Sequence, residues 1–316
     1  MNKYLNDLKT ELEKQPLSQA VIDEIIKDHE EMIKAAIDDG LSEEKLTEKF
    51  GEPSQIAEEL SKVEKNEDTL DHVRLFQTFE VKEAFKVNCA TVNDDITYKL
   101  SKTNDLQILT NDTEMKDHTI TFEDNVLTIR SNEKTSMSFF NFFTTSKKKT
   151  IVIEIPKDQC KRLFHKGVNG PTKLESLSLE SAELNTVNGR LKIEDATINH
   201  ATFHTVNGKI IVHDLRGKQL HTSQVNGNQC LEKIAIEDDI TITTVSGDSA
   251  INTLTSHRLH LKSVSGRIKG NEVYPKVCQL RSVSGSILIE NKTATDIDVE
   301  KERSVSGTVK IVQPNA

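Results

Sequence analysis

Histidines and acidic residues are the side chains of this sequence best suited to binding a metal or transferring protons. The acidic groups are Glu194-Asp195 and Glu237-Asp238-Asp239, and paired carboxylates can act as calcium ligands or as the acid and base of polysaccharide-cleaving enzymes. In a chain built from repeated structural units, a metal or catalytic site would need these residues at the same position in successive units. Neither the acids nor the histidines recur in that way, so we expect no catalytic residue, no metal and no cofactor. The histidines concerned are His165, His200, His204, His213, His221, His257 and His260.

The four cysteines also lack the spacing of a reactive set. Cys89, Cys160, Cys230 and Cys278 are far apart and form no Cys-x-x-Cys pair, which argues against a disulfide framework and against a zinc site. They stand near apolar positions, which predicts buried and inert thiols. The sequence contains no nucleophile-elbow, P-loop or His-Glu-x-x-His motif.

The charge of the chain is concentrated at one end. In total 41 basic residues face 50 acidic ones, giving a net charge of −9. This balance excludes a general nucleic-acid binder, which needs an excess of cations to neutralise phosphates. Residues 1–66 hold nine lysines and seventeen acidic residues, so most of the negative charge belongs to that segment.

Residues 1–66 are predicted to form a small, acidic bundle of helices. Leu5, Leu8 and Leu12 lie three and four positions apart and form one apolar stripe, and Pro16 ends that helix. Three further amphipathic segments follow, the second of them ending at Gly40, a residue typical of helix C-termini.

The motifs of this segment resemble the HAAS signalling domain of Gram-positive bacteria. They are Tyr-Leu-x-x-Leu, Ile-Ile-x-Asp, Gly-Leu-Ser-Glu-Glu and Phe-Gly-Glu-Pro-x-x-Ile-Ala, and the most specific stretch is residues 50–60. The resemblance implies a helical, non-enzymatic domain that is associated with PadR-type regulators.

A change of period marks the start of a β region. Residues 67–74 are polar and predict a linker, whereas residues 75–165 contain alternating apolar segments typical of strands. We interpret 75–165 as a β cap with the first coils of a larger β structure. Within it, the segment around Glu123-Asp124-Asn125 predicts a hairpin.

An aromatic and basic segment at 136–149 interrupts these strands. Aromatic side chains beside lysines can contact an anionic membrane surface, and they are candidates for that contact or for a protein partner. Alternatively, the phenylalanines cover the open end of the β core and the lysines form a solvated turn. The residues are Phe139, Phe140, Phe142, Phe143, Lys147, Lys148 and Lys149.

A tripeptide of valine, asparagine or serine, and glycine recurs eight times within residues 166–316. Successive glycines are 19, 19, 19, 20, 19, 19 and 22 residues apart, and such periodicity is typical of a solenoid or an array. The predicted corner residues are Asn169, Gly170, Asn188, Gly189, Asn207, Gly208, Asn226, Gly227, Ser246, Gly247, Ser265, Gly266, Ser284, Gly285, Ser306 and Gly307.

The repeat predicts a single-stranded β-solenoid of about eight or more coils of 19 residues, because so short a unit cannot contain a helix. The valines are expected to fill the interior, the glycines to permit the corners, and the asparagines to bond in a ladder. A series of β-hairpins is the alternative, since Asn-Gly favours hairpin turns. The predicted fold class is therefore mainly β, with a small N-terminal all-α bundle.

Residues 75–314 resemble the putative-adhesin β-solenoid domain of unknown function. The resemblance rests on Ile153-Glu154-Ile155-Pro156 followed by the serial Val-Asn/Ser-Gly turns. Members occur beside HAAS-like domains in envelope-stress proteins such as those of the Lia system. This implies a non-enzymatic signalling or scaffold protein of the bacterial cell-envelope stress response, with protein partners such as a PadR-type regulator or an envelope-stress sensor.

Two other functions stay open from the sequence. One is an adhesin-like surface or ligand-binding protein, which requires export, and the other is a polysaccharide-active enzyme. The N-terminus has no apolar segment of signal-peptide length, and no run approaches the length of a membrane span. We therefore expect a cytoplasmic protein whose membrane contact, where it has one, is peripheral.

Overall fold

The computed structural model of this chain divides into two compact units, Met1–His72 and Val73–Ala316. No helix in the described part of the chain is long and apolar enough to cross a membrane. The structure describes residues 2–15, 22, 26, 30, 33, 42, 47, 52–54, 57, 73–112, 114–132, 149–293 and 297–313.

The first unit begins with the predicted amphipathic helix. Helix α1 spans Asn2–Glu13 and ends before Pro16, since proline cannot continue a helix. Leu5, Leu8 and Leu12 are buried, which confirms the apolar stripe. Most of the remaining bundle and the linker up to residue 72 lie outside the described residues.

The second unit consists of β-strands, which confirms the mainly β fold class. Most of these strands have the alternating apolar residues that favour a pleated element with one buried face. The strands are β1 (Arg74–Phe79), β2 (Phe85–Ala90), β3 (Asp95–Leu100), β4 (Leu106–Thr110), β5 (His118–Glu123), β6 (Val126–Ser131), β7 (Thr150–Ile155), β8 (Cys160–Lys166), β9 (Thr172–Glu175), β10 (Ser178–Thr186), β11 (Leu191–Thr205), β12 (Ile210–Gln224), β13 (Gln229–Thr244), β14 (Ser249–Ser263), β15 (Arg267–Ser282), β16 (Ser286–Glu290), β17 (Asp298–Ser304) and β18 (Thr308–Val312).

From β10 onward the strands of successive coils pair in parallel. Leu191 pairs with Ile210, and Phe203 pairs with Thr222, so neighbouring coils are in register at the 19-residue repeat. Parallel pairing continues through β18. The β-solenoid of about eight coils is thereby confirmed, and the hairpin alternative is wrong, because hairpins pair antiparallel.

The cap contains one coil that the Val-Asn/Ser-Gly tripeptide does not mark. Strands β2 and β3 flank Val92-Asn93-Asp94, in which aspartate stands where the later units have glycine. In the stack, β2 lies between β6 and β8, and β3 lies between β7 and β9, with all four pairings parallel. The first coil in the chain is therefore the second in space.

The first coil in the stack, here called the bottom coil, is formed by β6 and β7. Antiparallel strands pair with its outer edges. Strand β5 pairs with β6, β4 pairs with β7, and β1 pairs with β4. The β5–β6 pair is the predicted hairpin, and its turn residues Asp124 and Asn125 have φ of 51° and 56°, as a type I′ turn requires. This arrangement closes one end of the solenoid.

Six successive coils bend at a second position that the tripeptide does not mark. Residues in the left-handed region recur there with φ between 49° and 59°. The described glycines have no φ in this region, so the glycine of the tripeptide is not required for a left-handed corner. The bend residues are Ser176, Asp195, Asp214, Lys233, Thr253 and Glu272.

Candidate functional site

From the second tripeptide onward, the turn is braced by the side chain of the polar residue that precedes the valine. Thr205 is fully buried, and its Oγ1 accepts a hydrogen bond from the backbone N–H of Gly208 at 3.0 Å. In the later coils the hydroxyl donates instead, as Ser282 Oγ does to the carbonyl oxygen of Gly285 at 2.7 Å. Buried polar atoms need such partners, so this column has a structural role.

None of the eight tripeptide valines is buried, so the expectation that they fill the interior is wrong. Val264, Val283 and Val305 are 43, 39 and 83 % exposed. Side chains alternate along a strand, and in β14 the inward positions are Leu261 and Ser263. The valine that follows Ser263 therefore belongs to the outer surface.

The asparagines form the predicted ladder. Asn188 Nδ2 donates to Asn169 Oδ1 at 2.9 Å, Asn207 to Asn188 at 3.0 Å, and Asn226 to Asn207 at 3.2 Å. Asn93 extends the ladder downward, since it accepts from Asn169 at 2.8 Å.

In the coils whose tripeptide contains serine, a hydrogen bond from the serine hydroxyl to a backbone carbonyl takes the place of this ladder. Ser265 Oγ donates to the carbonyl oxygen of Val245 at 3.0 Å, and Ser284 Oγ donates to that of Val264 at 3.2 Å. Both side chains therefore tie one coil to the coil before it.

Replacing Asn207 with alanine is expected to lower the free energy of unfolding by about 1 to 2 kcal/mol, because it removes two exposed hydrogen bonds of the ladder. Asn207→Ser is expected to cost less, since serine at this slot can bond the preceding valine carbonyl. Urea denaturation of both variants measures the difference. An equal loss for alanine and serine would contradict this account of the slot.

The last three coils carry a cation two residues before each exposed valine. We call this set, which comprises Lys262, Val264, Arg281, Val283, Arg303 and Val305, the cation–valine strip. Lys262 is in register with Arg281, and Arg281 with Arg303, and all three cations are exposed. None of them forms an ion pair with another described residue.

Two acids of β17, Glu300 and Glu302, are close in sequence to the strip residues of the last coil. Glu300 Oε2 accepts from Gln279 Nε2 at 2.9 Å, and Glu302 occupies the slot of the inward residue Leu280. The sequence signal for the strip was present as Lys/Arg-Ser-Val-Ser-Gly in the last three units. It was missed because the valines were expected to be buried.

Only one of the predicted contact residues of the aromatic and basic segment is described. Phe139, Phe140, Phe142, Phe143, Lys147 and Lys148 lie outside the described residues. Lys149 precedes β7, and its Nζ lies 2.8 Å from Asp117 Oδ2 and 3.1 Å from Asp112 Oδ2. Burial lowers the pKa of Lys149, but the hydrogen bonds and charges of the two aspartates outweigh it and raise the pKa. Lys149 is therefore held by two carboxylates at the start of β7.

Two of the predicted histidines, His165 and His200, make separate side-chain contacts. His165 is buried, with Nδ1 at 2.9 Å from the Tyr98 hydroxyl and Nε2 at 2.9 Å from Thr172 Oγ1. Burial lowers its pKa to about 4. His200 Nδ1 lies 3.1 Å from Gln219 Oε1 on the outer face. Among the described residues, no three His, Cys, Asp or Glu side chains are placed to hold a metal.

The acidic groups lie apart from each other. Glu194 pairs with Lys173 at 3.2 Å and with Lys192 at 3.3 Å. Glu237 and Asp238 line an open cleft of about 510 Å³, at the point where the register shifts because one unit has an extra residue. No third acidic residue lines that cleft.

The prediction of buried thiols holds for three of the four cysteines. Cys89, Cys160 and Cys278 are buried, but Cys230 is exposed. Its neighbours Gln229 and Leu231 take the inward positions, so alternation along the strand places Cys230 outside. Partial desolvation of the sulfur, followed by the charge of Glu232, raises the pKa of the Cys230 thiol.

Two known families match this sequence. The HAAS family matches residues 3–59, and the Toastrack DUF4097 family matches residues 86–240. A comparison with curated proteins finds no match.

Several solved structures share the fold. The putative lipid binding protein from Parabacteroides distasonis is 17 % identical and aligns with a TM-score of 0.56 over 77 % of this chain and 98 % of its own. A putative adhesin from Parabacteroides merdae is 14 % identical, with a TM-score of 0.51 over 77 % of this chain and 98 % of its own. The chain thus carries a HAAS domain at its N-terminus, followed by a Toastrack DUF4097 domain with the β-solenoid fold of these proteins.

Proposed function

We propose that this protein is a non-enzymatic scaffold of the bacterial cell-envelope stress response that works at an anionic membrane surface. The observation that carries the proposal is the cation–valine strip. The combination of a HAAS signalling domain with a Toastrack domain supports the signalling role. The dispersed histidines and acids of the solenoid favour a binding function over catalysis.

The strip combines the two interactions that hold proteins at lipid headgroups. A lysine or arginine near an anionic lipid surface contributes about 1 kcal/mol, and aliphatic side chains gain by entering the headgroup boundary. Adjacent strands lie about 4.8 Å apart, so one flat surface can contact Lys262, Arg281 and Arg303 together. The phenylalanines at 139–143 would add a second, aromatic contact.

Vesicle binding tests this proposal. The full chain is expected to co-sediment with phosphatidylcholine vesicles that contain phosphatidylglycerol, and much less with pure phosphatidylcholine. The variant Lys262→Gln/Arg281→Gln/Arg303→Gln is expected to bind about tenfold or more weakly, since three contacts with the anionic surface are lost. A second variant, with serine at the four phenylalanines, measures the contribution of the aromatic segment.

A matched control separates a local contact from the effect of net charge. Lys218→Gln/Lys269→Gln/Lys276→Gln removes the same charge from exposed positions outside the strip, and it is expected to bind nearly as well as the wild type. Equal losses in both triple variants would overturn the role of the strip. Failure of the wild type to bind anionic vesicles would overturn the membrane proposal itself.

The acidic helical domain is proposed to hold the protein partner. Its excess of acids over lysines suits a basic surface on a PadR-type regulator or an envelope-stress sensor. Adding the purified regulator to the same sedimentation experiment tests this. A regulator that stays in the supernatant while the full chain sediments would contradict it.

An adhesin-like or lipid-binding role outside the cell is the second candidate. It is favoured by the structural neighbours, which are a putative lipid binding protein and a putative adhesin. Cell fractionation discriminates between the two, because the scaffold proposal expects the protein inside the cell and the adhesin proposal expects it outside.

A further inference from the structure

The cleft beside Glu237 and Asp238 forms where two irregularities of the repeat coincide. The unit that ends at Gly247 has one residue more than the units before and after it, and the register of β13 shifts there against both adjacent strands. In β15, Pro275 lies opposite Ser256 and has no N–H to donate to a neighbouring strand. Bulges are common beside functional sites, where they redirect side chains.

Residues of three successive coils line this cleft. Its volume is about 510 Å³, which falls within the range of roughly 300 to 1,000 Å³ of small-molecule sites. Ile236 and Ser256 are buried and form its floor. Among the other lining residues Tyr274 is half-buried and the rest are exposed. These others are Glu237, Asp238, Thr255, His257, Tyr274 and Lys276.

The polar groups around the cleft are free to bind a ligand. No described residue forms a hydrogen bond or an ion pair with the carboxylates, the imidazole, the ammonium group or the phenol hydroxyl that line it. Charged groups just outside the cleft are paired. Asp239 Oδ1 lies 3.0 Å from Arg258 Nη1, and Glu272 Oε1 lies 3.3 Å from Lys292 Nζ. Unpaired polar side chains are therefore concentrated at the cleft.

Ser256 adds a buried hydroxyl at the floor of the cleft. This residue is 8 % exposed, and its Oγ is buried without a hydrogen-bond partner among the residues that the structure describes. A buried polar group without a partner costs free energy, and most such groups in proteins have one. A ligand group that both donates and accepts, bound at the floor, would satisfy this hydroxyl.

We propose that this cleft binds a neutral sugar residue of a glycan. Sugar hydroxyls donate to carboxylates and accept from ammonium groups, so one class of ligand satisfies Glu237, Asp238 and Lys276 together. Of the three tyrosines, Tyr274 is the one that is not buried, and its ring offers an apolar face against which the C–H face of a sugar can pack. Two carboxylates against one lysine disfavour an acidic sugar.

This binding site is independent of the proposed membrane contact. The cleft shares no residue with the cation–valine strip, and a sugar in it requires no lipid. Binding of a glycan and binding of anionic vesicles can therefore be measured separately, and the failure of one leaves the other intact.

A glycan array probed with the fluorescently labelled full chain tests the proposal, and isothermal titration calorimetry then measures the affinity for the strongest neutral glycan. We expect binding to neutral glycans and much weaker binding to glycans composed of uronic or sialic acids. Glu237→Gln/Asp238→Asn is expected to lower the affinity about tenfold or more, because hydrogen bonds to charged groups are lost. Tyr274→Ala is expected to lower it as well, because the packing face is removed.

A matched control removes the same charge elsewhere. Glu123→Gln/Asp158→Asn changes two exposed acids outside the cleft and is expected to bind the glycan as the wild type does. Circular dichroism of each variant checks folding, and if Tyr274→Ala unfolds, the exposed double variant at the cleft decides alone. Binding to no neutral glycan, a preference for acidic glycans, or an equal loss of affinity in the control would each overturn the inference.

Discussion

Replacing Gly266 with alanine is expected to lower the free energy of unfolding of the solenoid by about 3 kcal/mol or more. An added Cβ would lie 2.0 Å from the carbonyl oxygen of Gly247 and 3.0 Å from its carbonyl carbon. Both atoms are backbone, so no side chain can rotate away. Relief requires the two coils to separate, which strains the bond from Gly266 N–H to the carbonyl oxygen of Val245 at 3.1 Å.

Urea denaturation followed by circular dichroism measures this effect. The control Val264→Ala lies in the same coil, two residues away, and changes a side chain that is 43 % exposed. It is expected to cost less than about 1 kcal/mol. If Gly266→Ala were as stable as the control, glycine would not be required for the stacking of the coils.

Acidification from pH 7 to pH 4 is expected to remove about 3 kcal/mol of stability through His165 alone. Burial lowers the pKa of His165 to about 4, well below that of an exposed imidazole. Between these two pKa values the unfolded chain binds a proton that the folded chain does not. Stability is therefore highest above the unfolded pKa and falls as the pH decreases towards 4.

Denaturation curves of the wild type and of His165→Gln, recorded from pH 7 to pH 4, isolate this contribution. Glutamine keeps a polar group near the Tyr98 hydroxyl and Thr172 Oγ1 but cannot titrate, so the stability difference between the two proteins is expected to change by about 3 kcal/mol over this range. His200→Gln is the control, because its imidazole is exposed in the folded chain. Parallel curves for wild type and His165→Gln would contradict the prediction.

The repeat made most of the solenoid predictable. A period of 19 residues leaves room only for short strands and turns, and parallel stacking of identical units places equivalent residues above one another. The asparagine ladder follows from that geometry, and Asn188, Asn207 and Asn226 form it. The hairpin at Asp124-Asn125 was also predictable, because two turn residues between two alternating segments of neighbouring sequence suffice to specify it.

The direction of the valines was not predictable in the same way. A residue at a turn can face either side, and only the pairing of strands shows that Ser263 points inward and Val264 outward. The apolar character of valine favoured the interior, but the interior slot is filled by polar side chains that brace the glycine. The outer cation–valine strip, the basis of the proposed function, was hidden by that assumption.

The sequence by itself determined the HAAS-like segment, the coil length and the residues that repeat, because these depend on local spacing. Only the tertiary structure decided that the coil around Asn93 lies second in the stack and that antiparallel strands cover the edges of the bottom coil. These features depend on pairing between strands far apart in the chain, such as β2 with β8. The backbone groups that form these hydrogen bonds are nearly the same in every residue. The spacing of residues in the sequence therefore says little about which distant strands pair.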